Sequence, residues 1–429
     1  MTTAGITEGL RFFSNRIRER LWVKPLVISV LSIAAAFAAK AADSTNLSHV
    51  VPLISSAVLD TLLSIMASSM LVIATFAVAS MVSAYSSASN TASPRSFPLV
   101  IIDDVSQRAL SIFIGAFIFS IVGLITFKSG FFEAAGRFVL FLFTVAVFGM
   151  VILTFVHWVD RIARLGRMGN TIDKVEGATA AALQRRRDAP ALNGIPAESG
   201  HISGQPVFAE SVGYVQRIDI AALQSRAQDF GGRIRVVVLP GTFVAPGRAL
   251  AYIGAESRTG TDFDCTHLAN AFLIGKERRF DDDPRYGLIV LSQIADRALS
   301  PAVNDPGTAI DVIARLVRLF VLWGSPAEGG RSPEAQYDRV EVPELSAREM
   351  FDDAFAAIGR DGSHAVEVAI RLEKALASLA SICDAAMRDA AVHQARRALA
   401  FAEKALTLPE DRARVREAAS FALDHSASE

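Results

Sequence analysis

The stretch FVLFLFTVAVFGMVILTFVHWV, residues 138–159, contains no charged side chain. A hydrocarbon core about 30 Å thick needs roughly 20 helical residues, and buried helices of soluble proteins seldom run that far without charge. The stretch therefore predicts a membrane-spanning helix. Outward from it, residues 109–127 and 61–94 are also free of charge. Residues 21–42 form an apolar run with Lys24 and Lys40 near its ends, where long stems reach the headgroups. Four spans are predicted within residues 21–160.

The composition agrees. Of 429 residues, 51% are hydrophobic, and the mean hydropathy of +0.35 is high for an ordinary soluble chain. Charge divides the sequence near Asp160, because the first 160 residues hold only 18 of the 87 charged side chains. A net charge of -1 gives no global case for nucleic acid as a partner. Cys265 and Cys383 are the only cysteines, which excludes a disulfide framework and disfavours a cysteine zinc site.

Lysine and arginine near span ends set orientation. Arg11, Arg16, Arg18, Arg20 and Lys24 precede the first span, and Arg161, Arg164, Arg167 and Lys174 follow the fourth. Both termini are therefore expected in the cytoplasm, with the spans in the inner membrane. A rival reading takes residues 1–41 as a secretory signal ending at Ala39-Lys40-Ala41, which leaves three spans and the same cytoplasmic end. Within residues 1–20, Ile6, Leu10, Phe13 and Ile17 recur at helical spacing, continued by Leu21. They suit an interfacial helix or a cytoplasmic extension of the first span.

On the second span Thr61, Ser64, Ser68 and Thr75 fall on one stripe, continued by Ser83. Small hydroxyl residues either let helices approach closely or line a watery path. Gly115 and Gly123 on the third span suggest close packing. No charge lies deep in any span, which counts against a proton relay, a voltage sensor or ion-coupled transport.

Beyond the spans, residues 161–204 read as a stalk helix and linker, with Arg185, Arg186 and Arg187 as a solvated charge run. Residues 205–256 alternate as strands around a short helix, with turns at Pro240-Gly241 and Pro246-Gly247. The hairpin is similar to that of biotinyl and lipoyl barrel-sandwich domains. It lacks a modifiable lysine in the expected place, so a structural β module is expected and no prosthetic group.

Residues 257–340 hold the densest polar motif. Leu288, Leu291, Ile294, Ala295 and Leu299 mark a helix that stops near Ser300-Pro301, and Asn304-Asp305-Pro306 begins another. Asp305 suits an N-cap and Pro306 the first helical position. Glu277, Arg278, Asp283, Arg297, Asn304 and Asp305 are the candidate members of a polar cluster, either architectural or a small ion site. A short turn between the helices places Arg297 at a helix C-terminus beside Asp305 at an N-terminus, which predicts a buried pair.

Gly275-x-Glu277-Arg278, Asp283-Pro284 with Tyr286-Gly287, and Ala295-x-Arg297-Ala298-Leu299-Ser300-Pro301 with Asn304-Asp305-Pro306 and Thr308-Ala309 resemble the signature of a bacterial membrane-protein family. That family is domain of unknown function 2254. The likeness extends over nearly the whole chain, including Gly213-Tyr214-Val215, and is least clear after about Val340. Arg279 and Asp282 depart from the family pattern, which usually has Thr and often Gln at those places. The resemblance implies an integral bacterial membrane protein and supplies no reaction.

Residues 341–429 read as helical hairpins with His364, His393 and His425 scattered rather than set at metal-ligand spacing. Phosphate-cradling, zinc-protease and nucleophile-elbow motifs are absent from the sequence. The expected architecture is an α-helical membrane domain with four spans followed by a cytoplasmic α+β domain, a small β module plus helical hairpins. Neither a cofactor nor a metal is expected. The expected partners are the lipid bilayer, further copies of the chain and a small ion or solute. The first functional reading is gated passive flux through an oligomer under a cytoplasmic sensing domain. A pore-less membrane scaffold or signalling protein comes next, and a membrane enzyme last.

Overall fold

The computed structural model describes residues 23–44, 52, 54–91, 93–101, 104–165, 168–198, 200, 204–254, 266–325 and 335–424. The interfacial helix expected over residues 1–20 lies outside them. The chain divides into two compact units, Met1–Thr171 and Ile172–Glu429.

The first unit is built from α1 (Val23–Ala41), α2 (Ser56–Thr91), α3 (Asp104–Lys128) and α4 (Ala134–Leu165). Each contains a stretch long and apolar enough to cross a membrane. Small residues set the packing. Gly115 on α3 faces Ile28 and Ser32 of α1 so closely that a Cβ would overlap the Ile28 side chain, whereas Gly123 meets Leu63 and Leu140 at ordinary contact distance. Trp158 is fully buried, edge-on to Phe113 with ring centroids 6.2 Å apart. At one end of α4 the free helical amides need acceptors, and Asp43 supplies them. Its carboxylate accepts from the Glu133 and Gly136 amides and pairs with Lys40 at 3.2 Å.

The second unit begins within α5 (Met168–Asp188). The β strands are β1 (Gly194–Pro196), β2 (Gln205–Phe208), β3 (Gly213–Ile218), β4 (Arg233–Val236), β5 (Phe243–Val244), β6 (Ala249–Gly254), β7 (Phe272–Gly275) and β8 (Tyr337–Val342). They form a five-stranded sheet in the order β1-β8-β4-β6-β2 and a three-stranded sheet in the order β5-β3-β7. The helix α6 (Ile220–Phe230) is capped by Asp219 at its start and ends at Gly231, whose φ of 69° suits a residue without Cβ. Its Leu223 and Ala227 join Ile234, Val236, Ala251 and Val340 in the β core.

The helical part comprises α7 (Pro284–Leu299), α8 (Pro306–Gly324), α9 (Ala347–Asp361), α10 (Val366–Ile382), α11 (Ala385–Ala405) and α12 (Pro409–Ala418). Leu288, Leu291, Ile294, Ala295, Ala298 and Leu299 form the buried row of α7. Phe320 of α8 lies 4.3 Å from Phe351 of α9, ring centroid to centroid, and 5.5 Å from Phe355.

Two expectations need correction. From Ile172 onward the stretch read as stalk and linker is woven into the second unit: Arg315 of α8 reaches Asp173 and Glu176 of α5, Arg318 pairs with Glu176 at 2.8 Å, and β1 pairs in parallel with β8. The β module is not confined to residues 205–256 either. It recruits β1, β7 and β8, because β4 needs a partner on its open side and finds it about a hundred residues downstream.

Candidate functional site

The polar motif is organised around the start of α7. Asp283 occupies the N-cap and accepts from the Tyr286 amide at 3.1 Å, with Pro284 at the first position, where its missing N–H costs nothing. Arg278 grips the same carboxylate in a fork, Nε to Oδ2 at 2.7 Å and Nη2 to Oδ1 at 3.0 Å. The guanidinium also lies over the Tyr286 ring, 5.4 Å from its centroid. Asp283 is only 2% exposed, and burial pushes its carboxyl above the ordinary range while Arg278 pulls it back down.

Backbone closes over this pair. Gly241, with φ of 94°, sits so near that a Cβ would overlap the Asp283 carboxylate, so the turn after β4 needs glycine for both its conformation and its approach. Gln216 of β3 donates to the Glu277 carbonyl at 2.8 Å, holding the strand-to-helix segment.

Further charges converge from elsewhere. Arg285 bonds Asp353 of α9 at 2.6 Å and also reaches Glu349, and Arg185 of α5 donates to the Asp281 carbonyl. Arg186 is 3% exposed, and burial brings its guanidinium down to about 10 against the upward pull of Asp282 and Asp283. Among the described residues its Nη1 is buried without a hydrogen-bond partner. Arg187 donates to the Leu322 carbonyl at 2.9 Å. The arginine run is therefore not a solvated face. The local pattern favoured that reading because the acceptors come from residues about a hundred positions or more away.

The six candidate residues do not form one site. Arg278 and Asp283 meet at the start of α7, but Arg297 stands fourteen residues further along that helix, a rise of about 21 Å. Arg297 is exposed, and among the described residues it does not pair with Asp305. Its position falls off the buried row of α7, which accounts for the failure of the expected pair. Asp305 instead caps α8, accepting from the Thr308 amide at 3.1 Å and hydroxyl at 2.6 Å, which hold its carboxyl below the usual range. Asn304, with φ of 50°, makes the turn, and the Glu277 side chain is exposed. Arg186, Arg285 and Asp353 are the members that sequence reasoning missed. Arg285 lay inside the quoted motif, but nothing local announced Asp353.

Chemically the cluster is built on two ion pairs, Arg278–Asp283 and Arg285–Asp353, and with the arginines of α5 it ties α5, the β7–α7 connection, α7 and α9 together. It can hold helices in register.

The hydroxyl stripe behaves differently. Thr61, Ser68 and Thr75 are exposed on α2 and Ser64 is half-buried, whereas Leu59, Leu63, Met66, Met70, Ala74 and Ala77 form its buried row. Thr61 bonds the Ala57 carbonyl at 2.7 Å, Ser68 that of Ser64 at 3.0 Å and Thr75 that of Val72 at 2.8 Å. The stripe therefore does not pack inside the unit.

A family model described as predicted membrane protein (DUF2254) matches residues 18–378. An uncharacterized protein of Mycobacterium tuberculosis is 30% identical over 226 residues, 51% of this chain and 43% of that protein. One of Mycobacterium bovis aligns to the same extent. The match thus spans less than half the length of these relatives. No solved structure matches the chain.

Proposed function

Because the chain belongs to the DUF2254 family of predicted membrane proteins, we propose that it acts in the bacterial inner membrane as an oligomer passing a small ion or solute passively, with both termini cytoplasmic and the second unit sensing or gating. The outward position of Thr61, Ser68 and Thr75 carries this reading. Each hydroxyl has its donor satisfied by its own helix and keeps acceptor capacity, which suits a surface shared between copies or turned to water. The absence of charge deep in the spans supports passive over coupled movement.

Purified protein in liposomes, assayed for conductance and ion flux, tests the proposal. We expect flux that falls when Ser68 and Thr75 are replaced by leucine. Liposomes as tight as protein-free controls, together with cysteine labelling of Thr61, Ser64 and Ser68 positions like lipid-facing sites, would overturn it. In that case the pore-less scaffold is favoured, a reading supported by hydroxyls that bond their own backbone and so tolerate lipid.

A further inference from the structure

Glu373 is the least satisfied side chain of the helical part. It sits in α10 with no exposed surface, and among the described residues neither carboxylate oxygen has a hydrogen-bond partner. Its place on the helix is one turn beyond Ala369 and Ile370, which pack with Leu399, Ala402 and Leu406 at α11 and with Val415 and Ala419 near α12. A charged carboxylate without partners in such surroundings is heavily penalised, and the neutral acid far less.

We propose that Glu373 is a proton-operated latch: the neutral carboxyl lets α10 stay seated among α8, α11 and α12, and loss of its proton loosens that seat. This inference is independent of the flux reading. Three observations support it. Burial alone acts on the group, raising it to about 8. The charges of the neighbouring helices are engaged elsewhere or exposed: Arg315 with Asp311 and Glu176, Arg318 with Glu176, Arg388 with the Ala380 carbonyl, Arg396 with the Ala422 carbonyl, Arg397 with Asp352, Arg412 with the Leu406 carbonyl, Arg414 with Asp411, and Arg416 with Glu403, while Asp389, Lys404, Glu410 and Glu417 are exposed. On α10 itself Glu367, Arg371 and Lys374 are exposed, and on α11 the half-buried His393 is pushed down by burial and by Arg348. None supplies Glu373 with a counter-charge.

The sign follows from linkage. The unfolded carboxyl titrates near 4.5 and the folded one near 8, so the folded state holds the extra proton between them. The stabilising contribution is complete below 4.5 and is lost as pH rises toward 8, by about tenfold in the opening equilibrium per pH unit, with no further loss above.

Hydrogen exchange on the full chain in nanodiscs tests this, with amide protection of α10 and α11 normalised for intrinsic rate from pH 5 to 9. Wild-type protection is expected to fall up to about pH 8 and then level off, and Glu373→Gln to remove the fall between about pH 6 and 8. Asp296, which burial and its bond to Asp361 raise to about 6, adds a slope below about pH 6 that is common to both proteins, so the difference isolates Glu373. Glu373→Leu provides a second variant that fills the same space without titrating and should lack the same part of the fall. A carbonyl stretch of a protonated carboxyl, present in the wild type at pH 7 and absent from either variant, gives an independent reading. Equal slopes in wild type and variants, or a wild-type spectrum lacking that band at pH 7, would overturn the proposal.

Discussion

Asp283 and Arg297 illustrate how much depends on which side of one helix a charge falls. Asp283 is buried, doubly held by Arg278 and capping α7, whereas Arg297 points to solvent. Removing one partner of a buried pair strands the other charge, at a cost of about 3–5 kcal/mol, while an exposed arginine costs within about 0.5 kcal/mol. We therefore expect Arg278→Ala and Asp283→Ala to lower the denaturation midpoint of the purified full chain sharply, and Arg297→Ala to leave it in place. Asp283→Asn, which keeps the cap but loses the charge, should fall between them. Equal midpoints for Asp283→Ala and Arg297→Ala would refute the assignment. The Arg278–Asp283 motif could be found in the sequence because the two residues lie five positions apart. Arg186 could not, since a run of three arginines gives no sign that Asp282 and Asp283 approach it.

Among the elements, those whose ends are fixed by local chemistry were the ones legible from sequence. Helix α8 begins where Asp305 and Pro306 place it, and α6 is the short helix expected among the strands of residues 205–256. The β1 strand was not legible, because three residues at a Gly-Ile-Pro stretch form a strand only through pairing with β8. Contacts between α5 and α7 were equally hidden. Gly287 of α7 faces Thr179 of α5 so closely that a Cβ would overlap the Thr179 side chain, both residues being buried. Gly287→Ala should therefore destabilise the second unit by about 1–3 kcal/mol despite alanine's better helix propensity. Pairing it with Thr179→Ala or Thr179→Gly should recover most of the loss. A single variant as stable as the parent would show that the two helices can move apart freely.

Across the whole molecule, the basic flanks and charge-free runs support our proposal that residues after the fourth span lie on the same side as the N-terminus. A reporter active only in the periplasm, fused after Leu183, should be silent, and a cytoplasmic reporter there should be active. The reverse pattern would move the entire second unit outside. The division into a membrane unit and a mixed α/β unit was visible in the charge distribution alone, but the internal wiring of the second unit was not. That wiring constrains synthesis. The β1 strand leaves the ribosome about 140 residues before β8, the neighbour it needs, and β4 waits for the same strand. At roughly 5–20 residues per second, the nascent chain carries an unfinished sheet for some 7–28 seconds. Its membrane helices have meanwhile already been translated, so an emerging chain is tethered at the bilayer while its half-built sheet edge stays open to chaperones and proteases.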